Sequence, residues 1–358
     1  MDYPRRSGPI DVRVPRIGEH DAVEEGQVRC GILRAWPGVL DQLGADADAL
    51  FAEAGFARSL FDDNDNTLPY PDGGRLLKRS VEVTGVRHLG LLIGQPVTLS
   101  ALGAVGFLMR ASPTVGHALR LLGEHFHLHD RGGTVSVEIR DSVATLCYRI
   151  TARNVEAVDQ IYMIAAAAAC NFIRELRVPD WRPLQVQLPF RRPAAVAPLG
   201  KVLAAPLMFD ADRMAVAFPA ADLTRPVTSA DPVLYGMMSE RVATLEARFD
   251  QDLPGRVRGL LQTLIFLPDS GGSIVARRLG MSLRTLSRRL ASHGVTLQAI
   301  RDEILCEAAC QLLQFTEKPA HEIAIILGYA DASAFTRAFN RWRGVPPAQW
   351  RARRRRAP

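Results

Sequence analysis

Two stretches in the last third of this 358-residue chain set hydrogen-bonding side chains at helical spacing over an apolar stripe. The first runs SIVARRLGMSLRTLSRRLASHG from Ser273 to Gly294; the second runs HEIAIILGYADASAFTRAFNRWRG from His321 to Gly344. Aligned on Gly280 and Gly328, each reads as a short apolar helix, a tight turn at the glycine, and a second helix with exposed Arg, Ser and Thr. In the first copy Leu283, Leu286 and Leu290 are expected to turn inward. That places Arg284 and Arg288 on one outward face, with Ser287 beside them. An outward arginine offers a planar fork of N–H donors that fits O6 and N7 of guanine. Such a pair of helices is a helix-turn-helix: the first braces, and the second enters a DNA major groove. Two units in tandem are a far more specific signal than one.

Other residues invite a different chemistry. The segment Glu124–Asp130, EHFHLHD, holds three histidines. If it is helical, His125 and His129 stand one turn apart, as a metal pair requires; if it is extended, all three histidines share a face. The segment ends an amphipathic helix, however, and no nucleophile or second ligand set accompanies it. No glycine-rich phosphate loop is present, since Gly103 and Gly106 fall in an apolar, helix-like stretch. No catalytic residue, cofactor or metal is therefore expected, and the chain does not read as an enzyme. The five cysteines, Cys30, Cys147, Cys170, Cys306 and Cys310, lack metal-type spacing and read as reduced, buried thiols. Cys306 and Cys310 share a helix face, which fits core packing, with a redox pair as the alternative.

The elements that must position these residues fall into two blocks. Residues 1–30 are rich in Pro, Gly and charge and are expected to be disordered or loosely attached. Residues 31–250 read as a mixed α+β domain. Helical spacing over 41–54 and 72–86 leads to a helix begun by Pro113, then to a hairpin of 134–139 and 143–150. An Ala-rich helix over 156–176, short strands near 183–188, 208 and 214–218, and a helix over 231–249 follow. Residues 250–254 are the expected linker. Residues 254–352 read as an all-α domain: a leading helix over 257–266, a bracing helix capped by Ser273, and an amphipathic connector over 298–313 with Ile300, Ile304, Ala308 and Leu312 on one face. The last residues, 353–358, form a basic tail that is expected to be disordered.

Charge follows the same division. From residue 254 onward there are 17 Arg and Lys against seven Asp and Glu, whereas the remainder holds 27 against 31. A basic half joined to a mildly acidic one implies a polyanion partner for one half only. Nearly all the positive charge is arginine; Lys78, Lys201 and Lys318 are the lysines. Met1 to Arg29 has no apolar signal core, and no stretch approaches the roughly 20 apolar residues needed to cross a bilayer, so a cytoplasmic protein is expected.

GYADASAFTRAFNRWRGVPPAQWR, with the earlier MSLRTLSRRLASHGVTLQAIRDEILCEAACQLL, resembles the signature of the AraC/XylS class of bacterial transcription regulators. The N-terminal segment GLLIGQPVTLSALGAVGFLMRASPTVGHALRLLGEHF resembles the ligand domain of the ornithine-utilisation regulator branch. The resemblance implies two recognition helices per subunit in successive major grooves of double-stranded DNA, about 34 Å apart. In the first unit its base-facing positions are Arg284, Ser287 and Arg288. In the second they are Ala332, Ser333, Thr336 and Arg337. Arg289, Arg341 and Arg343 are assigned to phosphate, and Asp331 to a helix cap. The resemblance further implies a small-molecule effector in the N-terminal domain, a homodimer, contact with RNA polymerase, and an activator. A ligand-independent or repressor-type regulator, or a non-specific architectural DNA-binding protein, is the alternative. The hairpin from Val135 to Tyr148 and the helix after Glu156 are candidate walls of an effector pocket.

Overall fold

The computed structural model describes residues 23–24, 26–177, 180–193, 196–249, 253–264, 272–279 and 281–356. Strand β1 (Gln27–Arg29) pairs antiparallel with β2 (Thr67–Pro69), and between them lie α1 (Trp36–Gln42) and α2 (Ala47–Glu53). The expectation of disorder up to residue 30 is thereby corrected: Arg29 and Cys30 are buried, and the Arg29 guanidinium donates to the Leu128 carbonyl at 2.8 Å. Residues 1–22 and 25 lie outside the described residues. Helices α3 (Tyr70–Thr84), α4 (Leu89–Gly94), α5 (Ala104–Ala111) and α6 (Val115–His125) follow. The expected start of α6 at Pro113 moves two residues on, because Thr114 is the cap and accepts from the His117 N–H at 3.2 Å.

The main sheet holds β3 (Gly133–Arg140), β4 (Val143–Ile150), β5 (Gln185–Gln187), β6 (Leu207–Met208) and β7 (Met214–Pro219), in the order β3-β4-β7-β5-β6. All neighbours are antiparallel except β5 with β6. The hairpin read from sequence is β3–β4, with Asp141 taking a left-handed turn at φ 53°. The Ala-rich segment forms α7 (Val158–Leu176), and α8 (Ala197–Leu203) and α9 (Pro232–Phe249) complete this domain. Its small residues allow α4 to approach α7 backbone to backbone. A Cβ on Gly90 would lie 2.1 Å from the Gln160 carbonyl oxygen, and one on Gly94 would lie 2.7 Å from that of Ile164. The buried Gln160 side chain ties the contact by accepting from the Gly90 N–H and donating to the Arg87 carbonyl, both at 2.9 Å.

The second domain is helical: α10 (Leu253–Leu264), α11 (Gly272–Arg278), α12 (Leu283–Ser292), α13 (Leu297–Phe315), α14 (Ala320–Ile326), α15 (Ala332–Arg343) and α16 (Pro347–Arg356). Pro254 sits in the first turn of α10 rather than in a linker, and residues 250–252 lie outside the described residues. Ser273 falls inside the first turn of α11 and does not cap it. Helix α16 runs on through Arg356, so the expected disordered tail is helical to that point. Its Trp350 packs edge-on against Phe339, and the Arg354 guanidinium lies over the Trp350 ring.

Gly90→Ala is expected to cost about 2–3 kcal/mol in urea unfolding of the full chain, because α4 must withdraw from α7 to make room for a methyl group.

Candidate DNA-facing helices and an internal cavity

Each helix-turn-helix is built by the same local devices. Ser282 caps α12 and Asp331 caps α15, accepting from the N–H groups of Thr285 at 3.2 Å and Ala334 at 2.7 Å. The cap role read for Asp331 is thus its observed one. Gly328 makes the second turn at φ 74°, a conformation that disfavours other residues; Gly280 lies outside the described residues. In α12, Leu286 and Leu290 are fully buried, and Arg284, Ser287, Arg288 and Arg289 are exposed. Leu283 departs from the expected inward stripe. It stands at the helix start, 42% exposed.

In α15, Phe335, Ala338 and Phe339 are buried, and Ser333 and Arg337 are exposed. Ala332 and Thr336 are half-buried, and the Thr336 hydroxyl is spent on the Ala332 carbonyl at 2.7 Å. Arg341 pairs with Asp302 of α13 at 2.9 Å, and Arg343 lies 3.7 Å from Glu307 of the same helix. Both arginines therefore tie α15 to α13, and the Arg341 side chain stays 64% exposed while doing so. Asn340, exposed one turn after Arg337, belongs to the same outward face and was not singled out from the sequence.

Helix α13 is not the one-faced amphipathic connector that was expected. Besides Ile300, Ile304, Ala308 and Leu312, it buries Leu305, Cys306, Glu307, Ala309, Cys310 and Leu313. It packs against α10, α14, α15 and α16, and also touches the N-terminal domain. Hydrogen bonding from Cys310 is the main cause that holds the Cys306 thiol down at about 7, against burial, with Arg343 adding to it. Burial pushes the Glu307 carboxyl up to about 7.

The N-terminal domain forms a partly open cavity of about 80 Å³ between α3, the β3–β4 hairpin and α7. Trp36, Leu77, Phe126, Ile164, Phe172 and Met214 give it an apolar wall. Val135, Leu146 and Tyr148 line it from the hairpin, and Ile161, Ala165 and Ala168 line it from α7. One end is polar. Asp130 Oδ2 accepts from the Tyr70 hydroxyl at 2.6 Å and from Tyr148 at 3.3 Å, and Oδ1 accepts from the Gly132 N–H at 2.8 Å. Burial raises the Asp130 carboxyl to about 6, although these hydrogen bonds oppose it. His129, also on the lining, has no hydrogen-bond partner for either ring nitrogen. Burial, with the Arg29 charge nearby, lowers its pKa from 6.5 to about 3, so it is neutral.

The three histidines therefore separate. His125 Nδ1 and His127 Nε2 lie 2.7 and 2.9 Å from the two oxygens of Glu246 on α9, while His129 lies at the cavity. His125 and His127 converge on Glu246, and His129 does not join them. Burial alone would raise Glu246, but the bonds to His125 and His127 hold its carboxyl at about 2.

Several contacts join the N-terminal domain to the helical domain. Tyr148 meets Tyr162 of α7 edge-on at 6.1 Å, and the Tyr162 hydroxyl donates to Gln311 of α13 at 3.4 Å. Glu303 of α13 also pairs with Arg153 at 2.9 Å, and the Glu317 N–H donates to Asp210 at 2.9 Å. The histidine–Glu246 contact holds α9, the last helix before α10. No helix among the described residues is long and apolar enough to cross a membrane.

Comparison with known proteins bears on both halves. Residues 44–227 match the family described as the arabinose-binding domain of AraC transcription regulator, N-terminal, and residues 275–353 match a helix-turn-helix domain. The ornithine utilization regulator of Pseudomonas aeruginosa is 28% identical over 318 residues, covering 87% of this chain and 92% of that protein. The HTH-type transcriptional regulator VirS of Mycobacterium tuberculosis is 25% identical over 91% of this chain and 96% of its own length. The crystal structure of the transcriptional regulator CdpR from Pseudomonas aeruginosa, 24% identical, covers 78% of this chain and 91% of that one with a TM-score of 0.42.

The depressed pKa of His129 has a sign that can be checked. Unfolding releases the ring to bind a proton, so stability is lost as pH falls below 6.5, and the loss levels off only near 3. Between pH 8 and pH 5 the wild type is expected to lose about 2 kcal/mol more than His129→Leu in urea unfolding.

Proposed function

Because the chain belongs to the AraC family of transcription regulators, we propose that it binds DNA sequence-specifically under the control of a small effector held in its N-terminal cavity. The observation that carries this reading is the outward placement of Arg284 and Arg288 on α12, and of Ser333 and Arg337 on α15, around a connector that also contacts the N-terminal domain through Tyr162 and Gln311. Arg284 and Arg288 supply bidentate donors for guanine. In the second unit Arg337 is the principal reader, with Ser333 and Asn340 beside it, and Ala332 limited to an apolar contact such as a thymine methyl. The half-buried, internally bonded Thr336 reads little. Arg289 binds phosphate and positions the helix without specifying sequence. Arg341 can offer phosphate the N–H donors that its pair with Asp302 leaves over.

The family also supports a cytoplasmic homodimer that activates transcription through RNA polymerase. The effector acts by favouring the domain arrangement that can engage adjacent half-sites, which requires different effector affinities for the two arrangements. An architectural protein would have no use for an internal cavity, and the cavity favours the effector-controlled reading over that alternative.

In competition binding against cognate and random fragments, Arg288→Ala is expected to lose about 1–3 kcal/mol of discrimination while keeping most of its random-DNA affinity. Equal loss on both kinds of DNA would contradict base reading by Arg288. Replacing Arg353 and Arg354 together by alanine is expected to weaken binding to both kinds about equally and to reduce the steepness of its salt dependence.

A further inference from the structure

We infer that the cavity takes an aliphatic group of about three to four carbons that carries no polar atom into it. This rests on reading the N-terminal domain as the ligand-binding half. Protein interiors are close-packed, and a void forfeits the dispersion contacts of the atoms that line it. The space is opened from α7, whose Ala165, Ala168 and Ala169 line it with methyl groups alone. Ile161, Ile164 and Phe172 lie to either side on the same helical stripe. An apolar occupant restores the missing contacts. At about 80 Å³ the space is about half the roughly 150 Å³ engineered cavity that holds benzene, which sets the size of the group. Because the cavity is partly open, the group can be the end of a longer molecule.

The polar groups at the end of the cavity argue against a polar ligand, because their bonds are closed among themselves. The Tyr70 hydroxyl donates to Asp130 at 2.6 Å and lies 2.5 Å from the Tyr148 hydroxyl, and Asp130 Oδ1 accepts from the Gly132 N–H at 2.8 Å. Neither ring nitrogen of His129 has surface open to the cavity. The Arg29 guanidinium is turned onto the Leu128 carbonyl and Asp65. A hydroxyl carried into the cavity would lose its water partners and find none in return, which weakens binding about tenfold. An ammonium or carboxylate would lose far more, and a polyhydroxylated molecule would repeat the loss at each hydroxyl. Water is poorly held there for the same reason, since a buried water needs about two to four polar partners.

The test uses the full chain, with the unfolding midpoint and the methyl 13C resonances of Ile161, Ile164 and Met214 as readouts. The molecules titrated are xenon and 2-methylpropane, the near-isosteric propan-2-ol and isopropylammonium, and L-arabinose and L-ornithine. Xenon and 2-methylpropane are expected to raise the midpoint and move the methyl resonances, and 2-methylpropane should bind about tenfold more tightly than propan-2-ol. Isopropylammonium, L-arabinose and L-ornithine should leave the methyl resonances where they are. Ala168→Leu, which puts an isobutyl group in place of a methyl, should abolish binding of both apolar probes, and the milder Ala168→Val should weaken 2-methylpropane about threefold. Propan-2-ol or a charged or polyhydroxylated molecule bound at these methyls as tightly as 2-methylpropane, no binding of either apolar probe, or equal 2-methylpropane binding by the wild type and the two variants would overturn the inference. DNA affinity measured in parallel separates it from the reading beneath it. A polar molecule that binds in the cavity and alters DNA affinity overturns the ligand class and leaves effector control standing. Apolar molecules that occupy the cavity without altering DNA affinity support the ligand class and contradict effector control.

Discussion

The burial of helix α13 on several sides at once is the constraint on which the rest of the structure depends. A helix that joined two independent units would need only one apolar face. This one buries residues at nearly every position from Ile304 to Leu313, including a carboxylate and two thiols. It can do so because α15 lies across it through Arg341–Asp302 and Arg343–Glu307, and the N-terminal domain meets it at Arg153–Glu303 and Tyr162–Gln311. The two outward arginine faces are related through it: α12 joins α13 through the short turn before Leu297 and packs on α10, which packs on α13, while α15 lies directly against α13. Any shift of the N-terminal domain against α13 acts on the element that relates the two faces.

The cavity stands at the other end of the same set of contacts. Its polar end is formed by consecutive residues, His129 and Asp130, that directly follow the pair holding Glu246. A molecule in the cavity would thus lie against a segment whose preceding turn anchors α9, and against Tyr148, which packs on Tyr162. Both contacts lead toward the helical domain. The arrangement suits a population shift, because among the described residues the two domains meet through individual side-chain contacts, Arg153–Glu303 and Tyr162–Gln311, beside the packing of α10 on β3.

Much of the architecture was legible in the sequence. The tandem helices, the hairpin, the Ala-rich helix and the capping role of Asp331 follow from short-range periodicity and from side chains that bond their own backbone, and such signals survive without tertiary information. What was not legible depended on distant partners. Leu283 carries an apolar side chain at helical spacing, yet it stands at the first turn, where little packs over it. Arg341 and Arg343 look like surface cations until α13 brings Asp302 and Glu307 beneath them. The three histidines resisted both a helical and an extended reading because the segment begins as the end of α6, tightens into a short 3₁₀ turn over Phe126–Leu128, and then crosses to the cavity. Glu246, more than a hundred residues away, gave no local signal at all.

The central claim is that two outward helix faces, related through α13, read DNA as a pair. Recovery of genomic fragments by the purified full chain, with binding to the best fragment titrated against salt and random competitor, tests it most directly. The account predicts a recurring site with two short motifs about one helical turn apart and affinity that outlasts random competitor at raised salt. Fragments with no shared motif, bound with uniform salt sensitivity, would contradict it.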